Sequence, residues 1–125
     1  MSQRRIRIRA GEVEVTAVLN DSPTAALVWE ALPIQASGST WGDEIYFRTP
    51  IRAEEEPDAQ EVVEMGAVGY WPPGQALCLF FGPTPASRGD EIRPASPVNV
   101  IGRIEGDATV LKAVPPGATV TVEPA

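Results

Sequence analysis

Residues 76–81, Ala-Leu-Cys-Leu-Phe-Phe, contain no polar position, and they lie between Trp71-Pro-Pro-Gly74 and Gly82-Pro-Thr-Pro85. Neither face of such a run can look at water. A fully buried strand and a short buried helix share this signature, and length decides between them. Six residues between two proline–glycine punctuations suit a strand and are too few for a helix. A strand apolar on both faces must be covered on both sides, so the rest of the chain has to wrap around it.

The remaining segments are short and mostly alternate. Ile6 and Ile8 alternate with arginines, Ala10-Gly11 turns the chain, and Val13, Val15, Ala17 and Leu19 repeat the pattern. Two such runs joined by a Gly-bearing turn form a β-hairpin. Its solvent side sets Arg5, Arg7 and Arg9 against Glu12, Glu14 and Thr16.

Ser22 and Pro23 then make an N-cap and first helical position. Ala25, Val28, Trp29 and Leu32 share one face at helical spacing, and Pro33 ends a helix of about ten residues. Residues 34–36 lead through a Ser/Gly-rich turn to a strand over 43–48, with Ile45 and Phe47 on one face and Glu44, Tyr46 and Arg48 on the other. Residues 50–61 are acidic, contain Pro57 and form an exposed connection. Strands are expected at 62–65, 98–105 and near Val120 and Val122, with a second short helix capped by Asp107 and turning Val110, Leu111 and Val114 inward. Residues 82–97, with four prolines, form a long loop of the kind that often carries function. Seven or eight short strands and two short helices predict a mainly β fold, a β-barrel or closed sandwich, as a single domain over residues 1–125.

Composition narrows the chemistry. The chain has no histidine, which removes the commonest general base and metal ligand and excludes Ser-His-Asp and Cys-His nucleophilic schemes. No metal and no cofactor is expected, and the glycines form neither a GxGxxG nor a Walker pattern. Cys78 is the one cysteine and lies in the buried run, so it reads as a core hydrophobe in a reducing compartment. The basic start lacks an apolar run behind it and no stretch has spanning length, so a soluble, cytoplasmic protein without a membrane partner is expected. A net charge of −7 argues against nucleic acid. The arginines near the start and the carboxylates of residues 54–64 suggest solvated faces or a contact within or between subunits.

Four blocks carry a family resemblance: Thr40-Trp-Gly-Asp-Glu-Ile-Tyr-Phe47, Val68-Gly-Tyr-Trp-Pro-Pro-Gly74, Leu77-Cys-Leu-Phe-Phe-Gly82 and Pro97-Val-Asn-Val-Ile-Gly102. Together they resemble the small prokaryotic cyclophilin-like proteins of unassigned function. The resemblance implies a closed antiparallel cyclophilin-like β-barrel capped by helices. Residues 77–82 also resemble the Ser-Gln-Phe-Phe-Ile strand of cyclophilins, the peptidyl-prolyl isomerases, and residues 100–104 their Val-Phe-Gly-Lys-Val. By that correspondence Phe81 floors a proline pocket. Isomerisation requires stabilising a twisted amide against a barrier of about 18–20 kcal/mol. Cyclophilins do so with an arginine in a Phe-His-Arg strand, and Gly42–Arg48 lacks that motif and puts Glu44 in the arginine's place.

Candidate site residues follow from both lines of reasoning. Trp41, Tyr70 and Trp71, beside loop glycines, are either caps on the barrel ends or a groove wall. Glu44, Tyr46 and Arg48 are either a solvated row or a pocket lining. Asp43 and Glu44 point to opposite faces and make no acid/base dyad. Phe81 is the expected floor, Arg88 and Arg93 can reach over it, Asn99 orients a loop or a ligand, and Trp71-Pro72 is the candidate cis bond. Three functions compete. One is a module that binds a small molecule or an extended, proline-containing peptide in an apolar groove without chemistry. The second is a divergent prolyl isomerase in which Arg48, Arg88 or Arg93 substitutes for the usual arginine. The third is a structural or homo-oligomeric protein with aromatic loops at its interface.

Overall fold

In the computed structural model, which describes residues 4–125, the amino-terminal hairpin forms as the alternation requires. β1 (Arg5–Ala10) pairs antiparallel with β2 (Val13–Leu19), with Arg9 opposite Glu14 and Ile8 opposite Val15. Arg9 and Glu14 make an ion pair at 3.0 Å, while Arg5 reaches Glu105 at 2.9 Å and Arg7 reaches Glu123 at 3.4 Å. The basic strand is thus neutralised by its own sheet rather than by the acidic segment 54–64.

Helix α1 (Pro23–Ala31) starts where Ser22 Oγ accepts from the Ala25 amide. Glu56 supplies a second cap, accepting from the Thr24 amide at 3.1 Å and from the Thr24 hydroxyl. This fixes one end of the acidic segment to the helix start, where the dipole favours a carboxylate.

β3 (Ile34–Ser37) and β4 (Ser39–Thr40) follow, then β5 (Glu44–Arg48), β6 (Ala67–Trp71), β7 (Ala76–Phe80), β8 (Asn99–Ile104) and β9 (Thr119–Pro124). The ladder order is β3-β9-β1-β2-β8-β6-β7-β5-β4, antiparallel throughout. Its two end strands are consecutive in sequence, separated by Gly38 alone, so the sheet curls into a nearly closed barrel. Gly38 N–H donates to Ala118 O at 2.8 Å, and a Cβ there would lie 2.9 Å from Val120 Cγ2. A side chain at the closing point would therefore push β9 away.

Ile6, Ile8, Ile45, Phe47, Leu77 and Leu79 fill the barrel, with α1 joining through Val28 and a 3-10 helix (Ala108–Ala113) through Leu111. A second, smaller cluster lies on the opposite face of β6 and β7, where Ala67, Cys78 and Phe80 meet Val63, Ile92 and Val98. The both-sides-apolar run is explained: one parity of β7 faces the barrel interior and the other faces a cover made by residues 82–98.

Several expectations are corrected. Residues 34–37 are strand rather than connection, because they pair with β9. Tyr70 and Trp71 lie on β6, not in loops. Residues 62–65 form no strand; Val63 makes a single bridge to Ile92. Val110 is 45% exposed, while Leu111 and Val114 are buried as expected. Trp71–Pro72 is trans, and the cis X-Pro bond is Leu32–Pro33. No helix among the described residues is long and apolar enough to cross a membrane.

Candidate functional site

The outer face of β5 and β7 is where the sequence departs from ordinary sheet chemistry. β5 pairs with β7 so that Tyr46 opposes Cys78 and Glu44 opposes Phe80. Before β5 the chain turns tightly at Gly42, whose φ of +61° suits glycine. A Cβ at Gly42 would also sit 2.9 Å from Thr84 Cα and 2.8 Å from Pro85 Cδ, so this turn and the 83–85 segment pack backbone to backbone. Asp43 N–H donates to Pro83 O at 2.9 Å and Phe81 N–H to Asp43 O at 3.0 Å, which locks them together.

From there residues 82–98 cross over the outer face and are tied down along their length. Ser87 Oγ accepts from Thr84 N and Arg93 N at 2.9 and 3.1 Å, and the Arg93 guanidinium pairs with Glu91 at 2.6 Å. Isolated bridges join Ile92 to Val63 and Val98 to Gln60. Trp71 Nε1 donates to Ser96 Oγ at 2.6 Å, so the indole on the sheet holds the covering loop directly. Gly74 accommodates the ring: a Cβ there would lie 2.6 Å from Trp71 Cζ3. Gly69 does the same for the loop, since its missing Cβ leaves room for Val98 Cγ2, which would otherwise be 3.0 Å away.

Between sheet and loop lies a cavity of about 290 Å³. Glu44 and Tyr46 of β5 and Cys78 of β7 line its sheet side, Trp41 and Trp71 stand on its walls, and Pro94, Ala95 and Val98 come from the covering loop. That volume is at the lower end of ligand pockets, suited to one small molecule or one side chain.

Glu44 is the one carboxyl in this lining and is only 6% exposed. Its Oε1 is buried without a hydrogen-bond partner. Burial raises its pKa to about 7, an effect partly offset by hydrogen bonding from the Cys78 thiol. Cys78 is itself driven well above the ordinary thiol value, first by burial and then by the Glu44 charge. The thiol is therefore held protonated and is a poor nucleophile. Around neutrality the carboxyl is poised between its two states. A buried carboxyl with one oxygen left unpartnered in an apolar wall is costly to fold and is a functional-site signal.

Four of the expected residues, Trp41, Glu44, Tyr46 and Trp71, are brought together here. The others are elsewhere. Phe81, the expected floor, packs into the barrel core instead, because it shares the inward parity of Leu77 and Leu79. Phe80 and Cys78 carry the outward parity. Tyr70 is fully buried, its hydroxyl donating to Ile51 O at 2.7 Å and accepting from Ala53 N–H. Arg48 lies on the exposed end of β5, donating to Gln75 Oε1 at 3.2 Å. Arg88 is exposed, its amide donating to Glu91. Asn99 serves a loop: Oδ1 accepts from Glu56 N–H at 2.8 Å, and Nδ2 donates to Glu54 O at 2.9 Å and Thr24 Oγ1 at 3.0 Å. No arginine lines the cavity. Cys78, Pro94, Ala95 and Val98 were not anticipated as lining; only the outward parity of Cys78, beside Glu44 and Tyr46, could have signalled one of them. Among the described residues no group of three acidic or cysteine side chains could hold a metal ion.

The sequence profile described as "Cyclophilin-like" matches residues 4–123. The solution structure of the hypothetical protein AF2241 from Archaeoglobus fulgidus is 47% identical, superimposes with a TM-score of 0.84, and is matched over 98% of this chain and 95% of that one. A structure of McbB in complex with tryptophan is 17% identical with a TM-score of 0.70, over 94% of this chain and 44% of that chain, a likeness of fold alone. No functionally curated protein matches the chain.

Proposed function

The chain belongs to the cyclophilin-like family, and from that premise we propose that it is a binding protein that holds a small molecule in the cavity beneath residues 82–98 and performs no chemistry on it. The observation that carries this reading is the buried, unpartnered Oε1 of Glu44 in an otherwise apolar, aromatic-walled cavity. Fold alone would not support it, since one fold hosts many functions. A polar atom that folding leaves unsatisfied costs about 1–3 kcal/mol, and a ligand that supplies its partner recovers that energy on binding. The tethered cover favours a compact ligand over an extended peptide, which would need the loop to lift from Trp71 and Val63.

Prolyl isomerisation is the rival reading, and the geometry supplies little for it. Stabilising the twisted amide needs a donor aimed at the prolyl nitrogen, and the cavity offers no guanidinium.

The test pairs two measurements. Small neutral probes such as benzyl alcohol and cyclohexanol are titrated by calorimetry while the tryptophan emission is followed, with Trp71→Ala as control. A saturable change in the wild type that is lost in the variant is expected; no saturable change with any probe overturns the binding reading. In a protease-coupled assay on proline peptides the expected rate is the uncatalysed background. Acceleration abolished by Glu44→Gln would favour the isomerase.

A further inference from the structure

The cavity has one kind of electrostatic wall. Its acid is Glu44, 94% removed from solvent by its 6% exposure, with Oε1 unpartnered. Its aromatic members, Trp41, Tyr46 and Trp71, present π systems that attract positive charge. No lysine or arginine contributes to the lining, so nothing inside neutralises the carboxylate. The other titratable groups facing Glu44 are the Cys78 thiol from β7 and the Tyr46 phenol from its own strand, while the covering loop presents only Pro94, Ala95 and Val98. A net charge of −7 adds a favourable long-range field for cations.

An anion would meet an uncompensated carboxylate in a low-dielectric site. A neutral donor would hydrogen-bond the Glu44 carboxyl but leave the charge unbalanced whenever Glu44 is ionised. A metal ion would find one carboxylate and no further acidic ligand. A protonated amine meets these conditions together: it donates to the Glu44 carboxylate, balances the charge and places its apolar body among the rings.

We propose that the cavity takes a small organic amine, an arylalkyl- or alkylammonium whose N–H donates to the Glu44 carboxylate while its apolar body packs between Trp41, Tyr46 and Trp71. The proposal rests on the small-molecule reading given above and names the class of its ligand. Binding draws Glu44 fully into its ionised state. Because the free carboxyl titrates at about 7, roughly half a proton leaves the protein when an amine binds at neutral pH.

The test compares three near-isosteric probes, phenethylamine, 2-phenylethanol and phenylacetate, by titration calorimetry and tryptophan emission. The amine is expected to bind at least about tenfold more tightly than the alcohol at about pH 8.5, with phenylacetate weakest. Glu44→Gln, which keeps the shape, is expected to erase the amine's advantage, and so is lowering the pH to about 5.5, where the cavity carboxyl is protonated. Calorimetry of the wild type in buffers of differing ionisation enthalpy reads the released proton without any variant. Equal affinity for amine and alcohol, an unchanged amine affinity in Glu44→Gln, or no proton release would overturn the amine assignment while leaving a neutral-ligand pocket standing. Failure of all three probes to bind would overturn both readings.

Discussion

Glu44 and Cys78 stand diagonally across the β5–β7 ladder on the outer face of the barrel, and burial raises the pKa of both. Diagonal neighbours in an antiparallel pair are within reach of one another. Here the contact places a thiol beside a carboxyl inside an apolar wall, where neither has a counter-charge in the cavity. The pair is stable in its doubly protonated form and less so once Glu44 ionises.

Glu44 therefore gives stability a pH dependence of unusual sign for a carboxylate. Its folded pKa, about 7, lies above the ordinary carboxylate value of 4.5 that it recovers on unfolding. Between those values the native state binds more protons than the unfolded one, so this group's contribution falls as pH rises through that window and is flat above it. Urea unfolding at about pH 5 and pH 8.5 should show the wild type losing of order 2 kcal/mol more than Glu44→Gln across the interval. Equal pH profiles for the two proteins would contradict a raised Glu44.

Gly69 is expected to behave as a spacer under the loop. In Gly69→Ala the new methyl meets Val98 Cγ2 at 3.0 Å and Phe80 Cε2 at 3.4 Å. Overpacking of this kind costs about 1–3 kcal/mol. The double variant Gly69→Ala/Val98→Ala should recover part of that loss, and denaturant midpoints of the four proteins in the cycle will show it. Purely additive destabilisation would mean that the methyl acts on something other than Val98.

Trp71→Phe keeps an aromatic wall and removes the indole donor to Ser96 Oγ. The expected cost is about 1 kcal/mol. Its local signature is faster amide exchange in residues 82–98, with the barrel strands unchanged. Uniform acceleration across the whole molecule would show that the loop and barrel open together.

Asn99→Leu removes the group that satisfies Glu56 N–H and Glu54 O behind the sheet. Losing the partners of two part-buried backbone groups should cost about 1–3 kcal/mol. Exchange should rise in residues 54–56 and at the start of α1, which Glu56 caps, whereas amine or aromatic-probe binding should survive in the folded fraction. Loss of binding in folded protein would move Asn99 from loop support into the site.

The sequence carried the barrel further than it carried the site. Hairpin, helix cap and buried strand each leave a local signal: Ile6 and Ile8 alternate, Ser22-Pro23 punctuates, and residues 76–81 are unbroken by any polar group. The same unbroken apolarity concealed the pocket floor. In a strand covered on both faces nothing in the alternation says which parity looks outward, and the outward parity brings Cys78, not Phe81, to the cavity. Tyr70 and Trp71 were hidden among Gly66, Gly69 and Pro72, residues that punctuate turns but here mark a bulge near Val68/Gly69 and the strand's end. The short β3 and β4 hold too few residues to show a period, and pairing with β9 and β5 makes them strands. The distant contacts of Asn99 with residues 54–56 leave no local pattern at all.

Gly38 joins the sheet's two terminal strands and has a bearing on what the molecule can dock with. β3 is four residues long and β4 two, and the joint between them turns both rims toward one another. A partner arriving as an extended segment finds almost no open row of amides and carbonyls to continue. The ligand recognition proposed for this protein would then rest on side-chain shape and charge rather than on backbone ladders.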